Sequence, residues 1–172
     1  MARLYPNDAF EIDSEGQHQD ELVTLRHLGE MLPDDYSVFH SLHWSHAGKS
    51  SVRFGEIDFV VVNRSGDVLV IEQKNGSLEE TEEGLVKCYG PDRKALSSQI
   101  QRNIGNIRDK FKKQHGRDAT LDVDYLIYCP DYRVVSVNAA GVDACRLVDK
   151  ASKGELAERI QRLLGPGSSV DV

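Results

Sequence analysis

The chain predicts a single mixed α/β domain in which helices flank a central sheet. Three observations carry this. Short apolar runs of strand length, whose side chains alternate faces, lie on either side of a turn, over Phe59–Val62 and Val68–Ile71. They recur at helical spacing over Leu22–Leu32 and again over Leu96–Phe111. The apolar run Val123–Tyr128 then follows the second helix, as a strand returning to the middle of a sheet does. With 172 residues, 40% of them hydrophobic and 28% charged, the chain is long enough for one well-buried domain.

Taken in order, residues 1–19 are a polar arm, residues 20–164 the domain and residues 165–172 a linker-like tail. The first helix spans Asp20 to Leu32, with Asp20 as its cap and Leu22, Leu25, Leu28 and Leu32 as its buried stripe. Pro33-Asp34-Asp35 breaks it, a strand runs over Tyr36–Trp44, and Ser45–Arg53 forms a loop. A hairpin follows, turning at Asn63-Arg64-Ser65-Gly66. After the acidic Glu79–Glu83 turn comes a short strand over Leu85–Tyr89. Gly90-Pro91-Asp92 then launches a helix from Arg93 to His115, which Gly116 ends. Val134–Val137 and Cys145–Val148 read as weaker strands, and Ala151–Leu164 as a last helix with Leu156, Ile160, Leu163 and Leu164 on its apolar side.

The hairpin carries the chemistry. On its first strand Glu56 and Asp58 share a face, with Ile57, Phe59 and Val61 opposite; on its second, Glu72 and Lys74 share a face, with Leu69, Ile71 and Gln73 opposite. Neighbouring strands lie about 5 Å apart, so Asp58 and Glu72 reach one hard cation if the register sets them opposite. Mg²⁺, with Mn²⁺ as substitute, suits such a set, because it takes few carboxylates and keeps water. The backbone carbonyl of Gln73 is a further ligand, and Lys74 stands where it would position or deprotonate water, or offset charge on a pentacovalent phosphate. An exposed Glu72–Lys74 pair would need no metal. Val68 and Val70, and Val60 and Val62, nevertheless make these charges the end of apolar faces, which is costly without a partner or a cation.

Gly55-Glu56-Ile57-Asp58-Phe59-Val60-Val61-Val62, the following Ser65-Gly66, and Val70-Ile71-Glu72-Gln73-Lys74-Asn75-Gly76 together resemble the nuclease-related domain family of the PD-(D/E)xK phosphodiesterase superfamily. The resemblance covers roughly Glu21 to Pro130. It implies a restriction-endonuclease-like fold, DNA as substrate, Asp58 and Glu72 as metal carboxylates and Lys74 as the catalytic lysine. Gln73 replaces the apolar residue often found between the last two. Glu21 falls inside the stripe of the first helix, where it reads equally as a dipole-favoured first-turn residue; the resemblance places it near the metal. It also makes Gln99, with Asn103, similar to a glutamine-bearing helix beside the active site that orients the scissile phosphate. Relatives with this pattern often precede a helicase in a longer bacterial chain. The composition of Gly165-Pro166-Gly167-Ser168-Ser169 reads like a junction of that kind.

Along the second helix Gln99, Asn103, Asn106, Lys110 and Lys113 form one flank, a polar track turning basic that suits the DNA backbone. An ordinary solvated helix face has the same composition. The net charge of −7 argues against a protein that coats nucleic acid by bulk attraction, yet Arg93, Lys94, Arg102, Arg108, Lys110, Lys112, Lys113 and Arg117 gather positive charge in one segment. Cys88, Cys129 and Cys145 form no CxxC pair, so neither a disulfide framework nor a zinc ribbon is indicated. No signal peptide or membrane-length apolar run occurs, which makes a cytoplasmic protein without membrane association the expectation. His40, His43 and His46 recur every third residue, and on the predicted Tyr36–Trp44 strand such a step sends neighbouring histidines to opposite faces, which argues against shared zinc. Gly48-Lys49-Ser50 lacks the first glycine of a phosphate loop. Two readings remain, a metal-dependent deoxyribonuclease and a nuclease-fold module that binds DNA or a protein without cutting.

Overall fold

Residues 1–7, 19–47, 52–82, 84–136 and 143–165 are described by the computed structural model of the chain. In chain order its elements are β1 (Arg3–Tyr5), α1 (Gln19–Met31), β2 (Ser37–Ala47), β3 (Val52–Val62), β4 (Val68–Gln73), β5 (Glu79–Thr81), β6 (Gly84–Tyr89), β7 (Asp92–Ala95), α2 (Leu96–His115), β8 (Val123–Cys129), β9 (Leu147–Asp149) and α3 (Leu156–Leu164). A six-stranded sheet has the order β1-β2-β3-β4-β8-β9, and β5-β6-β7 form a second, smaller sheet. β2, β3 and β4 make an antiparallel meander, whereas β1, β8 and β9 join in parallel, so the main sheet is mixed.

Period two on β4 separates two cores. Leu69 and Ile71 pack with Leu25 and Leu28 of α1, Phe59 of β3, and Leu156 and Ile160 of α3. Val68 and Val70 pack on the other side with Val60, Ile127, and Leu96, Ile100 and Ile104 of α2. Each fully buried leucine or isoleucine contributes roughly 1.5–3 kcal/mol. Asn63, expected only as a turn residue, also donates from Nδ2 to the Leu164 carbonyl (3.0 Å), and the Tyr36 hydroxyl donates to that of Gly165 (2.6 Å). The last carbonyl of α3 and that of its C-cap are thereby satisfied.

Several boundaries differ from expectation. Residues 3–5 of the arm form a strand beside β2. The loop expected over Ser45–Arg53 is shorter, since β2 runs on to Ala47 and β3 begins at Val52. Arg93 does not start a helix. Gly90 (φ 61) supplies a tight turn that pairs Tyr89 with Asp92, and β7 precedes α2. Ala151–Leu164 is helical only from Leu156, after a 3₁₀ turn at Lys153–Glu155. The strand predicted at Val134 does not form, because the main-chain donors of Val134, Val135 and Ser136 go to the carboxylates of Asp149 and Glu80 instead of to a neighbouring strand. Cys145 and Arg146 belong to a 3₁₀ turn, and the last strand starts at Leu147. The Gly48-Lys49-Ser50 segment, Glu83, Val137 and the tail beyond Gly165 lie outside the described residues. No helix among those described is long and apolar enough to cross a membrane.

Candidate active site

The β3–β4 ladder pairs Phe59 with Ile71 and Val60 with Val70, a register that carries on to set Asp58 opposite Glu72. Both carboxylates end the α2 side of the sheet, beyond Val60 and Val70. Glu72 has no exposed surface and Asp58 is buried. The Gln73 amide donates to Asp58 Oδ2 (2.8 Å), which locks the aspartate across the ladder.

Lys74 is the cation these groups surround. Its Nζ donates to Glu72 Oε1 and to the Gln73 carbonyl (3.0 Å), and lies 3.6 Å from Asp58 Oδ2. Burial and then the Asp58 charge push the Glu72 carboxyl up to about 8, against the pull of Lys74. Burial likewise raises Asp58, opposed by Lys74 and reinforced by Glu21 and Glu56. Burial alone would lower Lys74, but Asp58 and Glu72 outweigh it, and the ammonium is held above its ordinary value.

The wall comes from α2 and β2. Gln99 Nε2 donates to Glu72 Oε1, and Asn103 Nδ2 to Glu72 Oε2 (3.4 Å) and the Glu56 carbonyl (3.3 Å). Asn103 Oδ1 in turn accepts from Trp44 Nε1 (3.0 Å). Asn103 is therefore turned inward at 1% exposure, which separates it from the outward track to which the helical period assigned it. Asn106 is half-buried and donates to the Arg102 carbonyl (2.9 Å), while Lys110 and Lys113 are exposed.

Trp44 and Gly55, which the sequence reading gave no role, set this wall. A Cβ on Gly55 would fall inside the Trp44 indole, so glycine is what allows the ring to lie against β3. The glycine within the strand was the available signal. Ile57 also corrects the expected phase. It packs with Val60 and Trp44 on the α2 side, not with Phe59 and Val61. Strict alternation fails where Ser41 adopts φ 55 and the pairing passes from His40–Phe59 to Leu42–Ile57. Ser41 donates to Glu56 Oε1 there. Glu21 meets His40, Nε2 to Oε2 at 2.9 Å, and lies near enough to Asp58 for its charge to be felt. His43 is exposed and 3.8 Å from Glu56, so these two histidines go to different carboxylates.

The result is a cleft of about 410 Å³ that includes Asp58, Lys74, Gln99 and Asn103, with Phe54, Lys94 and Arg102 at its rim. Among the described residues no three His, Cys, Asp or Glu side chains gather as a ready-made metal cluster. The donor set is instead two carboxylates and a main-chain carbonyl, and their oxygens already converge on the Lys74 ammonium. That set fits a hard divalent cation that keeps several waters.

A family model for the nuclease-related domain matches residues 16–130 of the chain. No curated protein and no solved structure matches it.

Proposed function

The chain belongs to the nuclease-related domain family, and from that premise we propose that it hydrolyses phosphodiester bonds of DNA with Mg²⁺, or Mn²⁺ in its place. The observation that carries this reading is the convergence of Asp58, Glu72 and the Gln73 carbonyl on one cation, the Lys74 ammonium, inside a cleft. The same oxygens would hold the metal, with Glu21 a further ligand beside Asp58. When bound, the metal polarises the phosphate and brings a water to it at neutral pH.

The residues of the chain supply the rest. Without metal, Asp58 and Glu72 hold the Lys74 ammonium above its ordinary value; with those oxygens given to the metal, Nζ would turn to the phosphate oxygens as they gain charge and orient water by donating. Gln99 and Asn103 fix both oxygens of Glu72, one each, which leaves the carboxylate a single orientation. Gln99 also lines the cleft, where its amide is placed to orient a phosphate. Asn106, Lys110 and Lys113 continue along α2 as sequence-independent contacts to the DNA backbone. A helicase in the same longer chain, the companion that the family resemblance implies, belongs to this proposal, and the Gly/Pro/Ser composition after Leu164 suits a linker.

The test is incubation with linear, circular and single-stranded DNA in Mg²⁺, Mn²⁺ and EDTA, with Asp58→Ala as control. Metal-dependent cutting that disappears in the variant is expected. Cutting that survives EDTA or the substitution would overturn the assignment, and binding without any cutting would favour the non-catalytic module.

A further inference from the structure

The mouth of the cleft carries side chains that hydrolysis does not use. Phe54 is 77% exposed although it stands on β3 four residues before Asp58, and Tyr89, at the end of β6, is 48% exposed. Lys94 and Arg102 are exposed cations that line the same cleft as Phe54 and Lys74. Lys94 Nζ lies 5.2 Å from the centre of the Tyr89 ring, which places that ring beside a cation lining the cleft. The small sheet delivers this pair. Gly90 turns β6 into β7, and Leu85 is packed in the core shared with Leu96 and Ile100 of α2. Lys94 is thus held just ahead of the helix that presents Gln99.

One exposed apolar side chain needs no explanation. An exposed ring and two cations lining the cleft that holds Asp58 and Lys74, with a second exposed ring against one of those cations, do. In a duplex the base faces are covered by their neighbours and only the edges are open in the grooves. An aromatic side chain at such a mouth can stack on a base without the cost of unstacking and kinking a duplex where bases are unpaired, and stacking platforms joined to positive charge are how proteins hold single strands. We propose that Phe54 and Tyr89 stack on unpaired bases while Lys94 and Arg102 hold the adjoining phosphates, so that the substrate reaches Asp58 and Glu72 as single-stranded DNA. This rests on the DNA-hydrolase reading of the same site and adds the form of its substrate.

Fluorescence anisotropy in EDTA, where metal-dependent cutting is silent, tests it with a labelled single strand and the matching blunt duplex. The single strand should bind at least about ten-fold more tightly. Phe54→Ala and Tyr89→Ala should each weaken it roughly ten-fold, the size of one base–aromatic stack, with duplex binding and melting temperature unchanged. Phe54→Trp should retain the preference. Lys94→Ala and Arg102→Ala should weaken the single strand and flatten its salt dependence. Equal affinity for the two forms, or a Phe54→Ala variant that binds single strands like wild type, would overturn the proposal. A parallel cleavage assay separates the two readings. Wild-type cutting with no aromatic effect sinks the stacking proposal alone, and aromatic-dependent binding without cutting sinks hydrolysis alone.

Discussion

Strand β4 sends Leu69 and Ile71 to the α1–α3 side of the sheet and Val68, Val70 and Glu72 to the α2 side, and every one of them is buried. On the first side burial is itself the stabilising force, because Ile71 packs in a cluster of apolar groups. On the second, the strand ends in a carboxylate with no exposed surface, whose desolvation costs several kcal/mol before any partner is counted. Lys74, Gln99 and Asn103 offset that cost with a charge and two amides. Equal burial therefore has opposite meanings on the two sides. The apolar side stabilises the fold, and the charged side stores a field that a divalent cation and a phosphate can use.

Lys74→Ala probes the charged side and should have the largest effect. Cutting is expected to fall about 10²–10³-fold, the usual loss for one preorganised charge or donor, while DNA binding persists. The same variant should bind Mn²⁺ more tightly in titration calorimetry, because Nζ no longer competes for Glu72, Gln73 and Asp58. Unchanged cutting would remove Lys74 from the mechanism. Leu28→Ala probes the apolar side, where it should cost roughly 2–5 kcal/mol in urea unfolding. Its activity per folded molecule should stay intact, and a comparable loss of rate would mean that the two sides are not separable.

Gly55→Ala tests the seam between them. The added methyl displaces the Trp44 indole, for an expected loss of about 1–3 kcal/mol. Trp44 is the only tryptophan, so its fluorescence reports the shift directly; an unaltered spectrum would deny the close approach. The charged side also has a pH signature. Glu72 in the folded chain keeps a proton up to about pH 8 that the unfolded chain releases near 4.5. Metal-free stability from this group should therefore fall as pH rises from 4.5 through 8, and Glu72→Gln should flatten that part of the curve. A thermal melt series across those pH values, identical for both proteins, would contradict the shift.

That Glu72 and Lys74 share a face, and where Asp58 points, was readable because strand period is local, whereas the register that sets Asp58 opposite Glu72 was left open and the ladder decides it. The leucine stripe of α1 and the strand at Val123 were readable for the same reason. Trp44 and the inward turn of Asn103 were not. Their contact spans 59 residues and depends on how α2 settles over β2 and β3. The phase of Ile57 was hidden too, since a single left-handed residue, Ser41, breaks an alternation that the apolar pattern alone shows as continuous. β7 was misread as helix because Asp92 to Ala95 has no strong period, and the turn at Gly90 decides it only when β6 is there to pair with.

Residue order along two strands thus set which groups share a face, and so put two carboxylates and a lysine at one sheet end, since side-chain alternation needs no distant partner. Packing in three dimensions settled what those groups meet. Burial made Glu72 a strong proton holder, the Lys74 ammonium took the position among three oxygens that suits a metal, and α2 with the small sheet gathered Gln99, Lys94 and Arg102 around the cleft. Such contacts join residues far apart in the chain, where desolvation and charge depend on every neighbour and not on local spacing.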